Sequence, residues 1–220
     1  MKDFLKSTAF IDCDSAAVRE FAARAVEGIA AERQKAVRLF YAVRDEIRYD
    51  PYRIELTPDA FRASTILKKG YGYCVAKAIV LCAAARACSI PARPGFADVK
   101  NHLTTQRLRE FMKTDLFIFH GYAELFIEGK WVKATPTFNL SLCERFGVKA
   151  LDFDGTDDAL LHPFDRAGHK HMEYVKDHGS FADVPYDLIV EMFRLHYPVY
   201  SDTDHRPAGN FEKEASIENK

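Results

Sequence analysis

The chain has 220 residues, 48% of them hydrophobic, and a formal net charge of -1, so it can bury a sizeable core and shows neither the basic field of a nucleic-acid binder nor an acidic tail. Five cysteines, an odd number with no Cys-x-x-Cys pair, argue against a disulfide framework and for a reducing, cytoplasmic setting. Residues 1–6 lack the apolar run of a signal peptide, and no stretch approaches the length of a membrane span.

In chain order, Phe10-Ile11-Asp12-Cys13 reads as a short strand or an extended arm, and Asp14-Ser15 offers an N-cap. A helix follows through Val18, Phe21, Ala22, Ala25 and Val26 and ends at Gly28. A second helix is predicted over residues 31–48, with Ala36, Leu39, Phe40, Val43 and Ile47 on its apolar face, closed by Tyr49-Asp50-Pro51. Residues 51–60 read as a loop and 61–69 as a short helix. Gly70-Tyr71-Gly72-Tyr73-Cys74 then opens a long apolar helix carrying Ala78, Leu81, Ala85 and Cys88 on one side and Val75, Ile79, Cys82 and Ala83 on the next. A helix apolar over most of its circumference is a buried one. Ile90-Pro91 ends it.

After Pro91 the pattern changes. Residues 92–99 read as a strand, 104–113 are ambiguous, and 116–128 alternate with a period of two. Phe117, Phe119, Gly121, Ala123, Leu125 and Ile127 fall on one face. His120, Tyr122 and Glu124 fall on the other. Gly129-Lys130 is predicted to be the hairpin turn, and Trp131 to Thr135 the returning strand, stopped by Pro136. The remainder gives a short helix at 140–146, an acidic loop at 152–158, a strand at 171–176, a helix at 186–196 and a polar, frayed stretch after Ser201. Helices first and an antiparallel sheet second make the class α+β, with residues 1–220 forming a single domain.

The chemistry centres on Cys74. A thiol at a helix start feels the positive end of the dipole, which favours the thiolate nucleophile; the alternative is a buried structural cysteine. Such a nucleophile needs a base. His120, mid-strand beside Tyr122 and Glu124, is the candidate, against the alternative of a partly exposed strand histidine. The backbone N–H of Cys74 is a natural oxyanion donor. Tyr71, Tyr73 and Tyr122 are possible cleft residues. Arg93, Asp98, Asn101 and His102 carry no pattern that assigns them a role.

Gly72-Tyr73-Cys74 with its helix, Ile90-Pro91-Ala92-Arg93, His120-Gly121-Tyr122-Ala123-Glu124 and Gly129-Lys130-Trp131-Val132 with Pro136-Thr137, taken in order, resemble the transglutaminase-like core, a branch of the papain-like cysteine enzymes. The resemblance covers residues 35–140 and leaves 141–220 as a C-terminal extension. It implies N-terminal helices packed on an antiparallel sheet, Cys74 as nucleophile, His120 as base, no cofactor, no metal, and a peptide, amide or ester substrate cleaved by water or transferred to an amine. The family's third residue is an aspartate, and Thr135 stands in its place. A hydroxyl can orient an imidazole but cannot stabilise its cation as a carboxylate does. Pairing across the turn puts Thr135 opposite Glu124; the same register would put Asn139 opposite His120, but Pro136 interrupts it there. Asn139 is the second choice of orienter because an amide fills that role in the papain-like enzymes the chain resembles, with Asp152 or Asp154 as others. Two rival readings stay open. One is a non-catalytic binding protein on this scaffold. The other is a metal-dependent hydrolase using His162, His169, His171 and His178 with Asp165, where His169 and His171 would share a strand face.

Overall fold

The apolar run after Cys74 forms a helix buried on nearly every side, and the other elements pack around it. The computed structural model describes residues 1–102, 104–162, 164–200 and 209–218. Helices α1 (Ala16–Ala25) and α2 (Glu32–Glu46) come first, then strand β1 (Arg48–Tyr49), helix α3 (Ala63–Lys69), strand β2 (Tyr71–Gly72) and helix α4 (Cys74–Ala87). Strand β3 (Ala92–Asn101), helix α5 (Gln106–Met112), strands β4 (Leu116–Ile127) and β5 (Lys130–Ala134), and helix α6 (Leu140–Phe146) follow. Strand β6 (Met172–Ser180) and helices α7 (Tyr186–His196) and α8 (Phe211–Glu218) complete the order. The four longer strands form an antiparallel sheet in the order β5-β4-β3-β6, while β1 and β2 make a small parallel pair. The architecture is α+β, with the N-terminal helices laid on an antiparallel sheet through α4.

Helix α4 touches α1, α2, α3, β3 and β4. Val75, Ile79, Val80 and Leu81 are fully buried, each contributing about 1.5–3 kcal/mol, and the alanines between them let neighbours come close. Its two buried cations are satisfied by backbone. Lys77 Nζ donates to the carbonyls of Arg44 (2.8 Å) and Ile47 (2.7 Å), at the negative end of α2. Arg86 donates to the carbonyls of Ala92, Lys6 and Ala182. Burial holds the Lys77 ammonium well below its usual pKa.

The ambiguous 104–113 stretch is a helix, α5, because the Thr105 hydroxyl caps it by accepting from Leu108 N–H at 3.2 Å. The β4–β5 turn differs from expectation. Ile127 pairs with Lys130, so the turn residues are Glu128 (φ 49°) and Gly129 (φ 92°). Two left-handed residues make the type I′ turn that matches strand twist. Glu124 therefore pairs with Lys133, not Thr135. The same register continued brings Thr137, not Asn139, opposite His120. The strict alternation expected of β4 also breaks, at Phe119, whose φ is 51°. The tail departs from expectation as well. Residues 201–208 lie outside the described residues, but α8 is ordered against the body, with Phe211 packed on Tyr49, Tyr52 and Phe146. No described helix is long and apolar enough to cross a membrane.

Candidate active site

Cys74 begins α4, and its approach is built from glycines. Gly70 ends α3 in a left-handed conformation, φ 67°, which L side chains rarely adopt. Gly72 passes so near α4 that a Cβ there would lie 2.6 Å from Ala76 Cβ. On the far side the first turn of α4 crosses strand β4 at Gly121. A Cβ on Gly121 would meet Val75 Cα at 2.6 Å and Val75 N at 3.1 Å. The half-buried Cys74 is a free thiol, like the other four cysteines. Burial pushes its pKa up to about 11, while the amide N–H groups of Gly121, Val75 and Cys74 itself pull the other way.

His120 pairs with Ala97 of β3 and is 4% exposed. Among the described residues its Nε2 has no hydrogen-bond partner, and burial pushes its pKa down to about 4. Cys74 and His120 line one narrow cavity of about 30 Å³, walled by Tyr73, Ile118, Phe193 and Tyr197 among others. Between the two pKa values, thiol and imidazole are both neutral at rest.

The remaining candidates separate. Thr135 is buried, and among the described residues its hydroxyl has no hydrogen-bond partner. Its N–H donates to Ala159 O at 3.1 Å, which fixes the backbone, and the side chain neighbours the Tyr174 phenol. The Tyr174 ring in turn stands edge-on to His120 at 6.4 Å. Asn139 is spent elsewhere. Its Nδ2 donates to the carbonyls of Arg44 (2.7 Å) and Ile47 (3.0 Å), and its Oδ1 accepts from Tyr49 N–H at 2.7 Å. It stitches α6 to the end of α2, and no hydrogen bond among the described residues joins it to His120. Asp152 accepts from Tyr41, and Asp154 ties its own loop at Thr156 and Asp157. Tyr73 lines the cavity with a buried hydroxyl that has no hydrogen-bond partner among the described residues. Tyr71 instead lies under the Arg53 guanidinium at 5.0 Å. Tyr122 belongs to a separate cluster with Ala97, Val99, Leu161 and Met172. Arg93 is structural, bonded to Glu124 at 2.6 Å and stacked over Trp131 at 4.1 Å.

His171 feels His162, Asp165 and His102 electrostatically, but the four late histidines form no single group. Strand β6 starts after His171, so His169 and His171 share no face: the His169 side chain is 74% exposed and bonded to Asp165, whereas His171 is buried against Phe138. Among the described residues, no group of three or more His, Cys, Asp or Glu is arranged to hold a metal ion. Among the residues given no site role in the sequence that reach the neighbourhood are Tyr174 beside His120 and Phe193 and Tyr197 on the cavity wall. Each comes from the C-terminal third, where local pattern says nothing about which distant strand is a neighbour.

Acid should weaken this fold. His120 and His171 are both held neutral, each pushed by burial from 6.5 to about 4. The unfolded chain binds their protons as pH falls below about 6.5 and the native chain does not until about 4. Stability is full above that window and declines through it, by up to about 1.4 kcal/mol per pH unit for each histidine. Thermal melts from pH 7 to pH 4 should show this slope, and the His120→Gln/His171→Gln double variant should flatten it.

A thiol at a helix start and a neutral histidine on the adjoining strand, in one cavity between helices and sheet, define the arrangement of papain-like folds. The chain belongs to the transglutaminase-like superfamily, whose family model matches residues 19–136. Among solved structures it is similar to a protein from Cytophaga hutchinsonii provisionally named a cysteine protease, at 16% identity and a TM-score of 0.48, covering 95% of this chain and 58% of that one. It is also similar to a protein from Parabacteroides distasonis provisionally named a protease, at 16% identity and a TM-score of 0.39, covering 60% of this chain and 26% of that one. The chain thus spans under two thirds of the length of either. A comparison with curated proteins found no match.

Proposed function

We propose that this chain carries out cysteine-dependent acyl transfer on a peptide, amide or ester, with Cys74 as nucleophile and His120 as base. The observation that carries the reading is the shared cavity, in which a helix-start thiol faces the same space as a buried imidazole whose Nε2 has no partner among the described residues. From a neutral pair, His120 takes the thiol proton as the sulfur attacks the carbonyl carbon. The oxyanion forms near the Cys74 amide N–H at the positive end of α4. The imidazolium then protonates the leaving amine or alkoxide, the carbon–heteroatom bond breaks, and a thioester stays on Cys74. Water or an amine attacks the thioester while His120 accepts its proton, and the thiol is regenerated by return of that proton. Thr135 is the proposed orienter, its hydroxyl standing where a carboxylate would stabilise the cation better. Five free thiols suit a reducing, cytoplasmic setting.

A second reading, a binding protein on an enzyme scaffold, is favoured by two features. Thr135 replaces the expected aspartate, and a cavity of about 30 Å³ holds a water or two rather than a peptide.

Acyl trapping separates them. An activated ester such as p-nitrophenyl acetate should leave one acetyl group on the Cys74 peptide by mass spectrometry, and none there in Cys74→Ala. Failure to acylate Cys74 faster than the buried Cys82 would favour the binding protein. The Thr135→Asp variant should keep or raise the acylation rate. It should also melt lower, because a buried carboxylate costs on the order of several kcal/mol until it is paired.

A further inference from the structure

Just before His120 the sheet is irregular in three strands at once. Ala97 pairs with His120 but Val99 pairs with Phe117, so Ile118 and Phe119 together oppose Asp98, which is a β-bulge. Phe119 sits in the left-handed region at φ 51°, an outlier for a bulky side chain. On the other side of β3, Phe96 pairs with Gly179 and Ala97 with Asp177, which leaves His178 as the extra residue of a second bulge.

The side chains at this point close on one another. Asp98 Oδ1 accepts from Phe119 N–H at 3.0 Å, and the same oxygen is bonded to His178 Nε2 at 2.7 Å. The His178 ring lies flat on the Phe119 ring, 4.2 Å between centroids and 13° between planes. Asp98 and His178 are mostly buried, with side chains 14% and 13% exposed. The neighbouring amide, Ile118 N–H, donates to Tyr197 Oη at 2.6 Å. Both amides of the bulge are therefore held by side chains from other elements.

Strand side chains alternate with a period of two, so one extra residue exchanges the faces that follow it. The bulge lies between Phe117 and His120 and so sets the side of β4 from which the imidazole leaves. We propose that Asp98, braced by His178, is a positioning residue for His120: it locks the bulge that aims the imidazole into the Cys74 cavity. Asp98 acts through the Phe119 backbone, since its carboxylate is committed to that amide and to His178. The inference rests on the reading of His120 as the base.

The test is the rate of Cys74 acetylation by p-nitrophenyl acetate, read by mass spectrometry. Asp98→Ala should slow it roughly 10- to 100-fold, the scale of a misplacement of about 1 Å. Asp98→Asn keeps an oxygen to accept from Phe119 N–H and should hold the rate within about threefold. In the His120→Ala background, Asp98→Ala should cause no further loss, because residues that act as one unit are not additive. A purely structural Asp98 would instead give the same factor with and without His120, and that result overturns the proposal, as does a wild-type rate in Asp98→Ala. Should Asp98→Ala fail to melt cooperatively, His178→Ala takes its place, since it leaves the bond from Asp98 to Phe119 intact. It is expected to slow acylation about threefold to tenfold, again only when His120 is present, and no effect there overturns the bracing role. An unchanged rate in His120→Ala alone would remove the base itself, an outcome distinct from a silent Asp98.

Discussion

The His120→Ala variant is expected to acylate Cys74 roughly 10²–10⁴-fold more slowly at neutral pH, the usual contribution of a positioned general base. The pH dependence should change with it. In the native chain the thiol is pushed up to about 11 and the imidazole down to about 4. The reacting form is then the neutral pair, and the rate should be nearly flat across neutral pH. Without the imidazole, only pre-formed thiolate can attack. Its fraction rises about tenfold per pH unit below the thiol pKa, so the variant should climb steeply with pH where the native protein does not. A profile measured by adduct formation from pH 6 to pH 9 decides the matter. A variant that stays flat, or that reacts as fast as the native chain, would show that His120 takes no proton from Cys74.

The second large effect is expected at Gly121. An alanine methyl there would stand 2.6 Å from Val75 Cα. The atoms that must yield are helix backbone, not the tip of a flexible side chain, so helix α4 and strand β4 have to separate. We expect a loss of about 3 kcal/mol, at the upper end for over-packing. Cys74 precedes Val75 and His120 precedes Gly121, so the same separation pulls the thiol and the imidazole apart. Acylation should fall on the order of 100-fold even at temperatures where the variant is folded. Urea titration and adduct kinetics on one preparation measure both. If Gly121→Ala keeps native stability and rate, the close crossing of helix and strand is not what holds the pair together.

The fold class and the position of Cys74 were legible because their signals are local. A helix apolar on most sides must be buried wherever it is placed, and a glycine turn before a cysteine marks a helix start without reference to anything distant. The hairpin shows how a local error can be half silent. Placing the turn at Gly129-Lys130 in place of Glu128-Gly129 shifts the register by two residues. Side-chain parity survives a shift of two, so His120 and Thr135 keep the same relation of faces while the partner assignment fails, and Asn139 was displaced from its expected place. The bulge at Phe119 was not legible. It depends on Asp98 from β3 and His178 from β6, and nothing in the residues around 119 announces a left-handed phenylalanine. The final helix was missed for a related reason. Its composition is polar, and its buried anchors are Phe211 and Ala215, which matter only against the aromatic rings of Tyr49, Tyr52 and Phe146.

Strand β3 is hydrogen-bonded on one side to β4, which follows it closely, and on the other to β6, which follows the whole of α6 and the acidic loop. Chains emerge from the ribosome N-terminus first and begin to fold as they do. Helix α4 and strands β3 to β5 are thus synthesised before β6 exists to cover the outer edge of β3, and before Phe193 and Tyr197 exist to wall in the thiol. In that interval the nascent chain presents an unpaired strand edge, a template for joining other chains. It also presents a cysteine without the burial that later raises its pKa. The later segments to leave the ribosome close the sheet and quiet the thiol together, so slow translation between residues 136 and 200 prolongs the window for aggregation and oxidation alike.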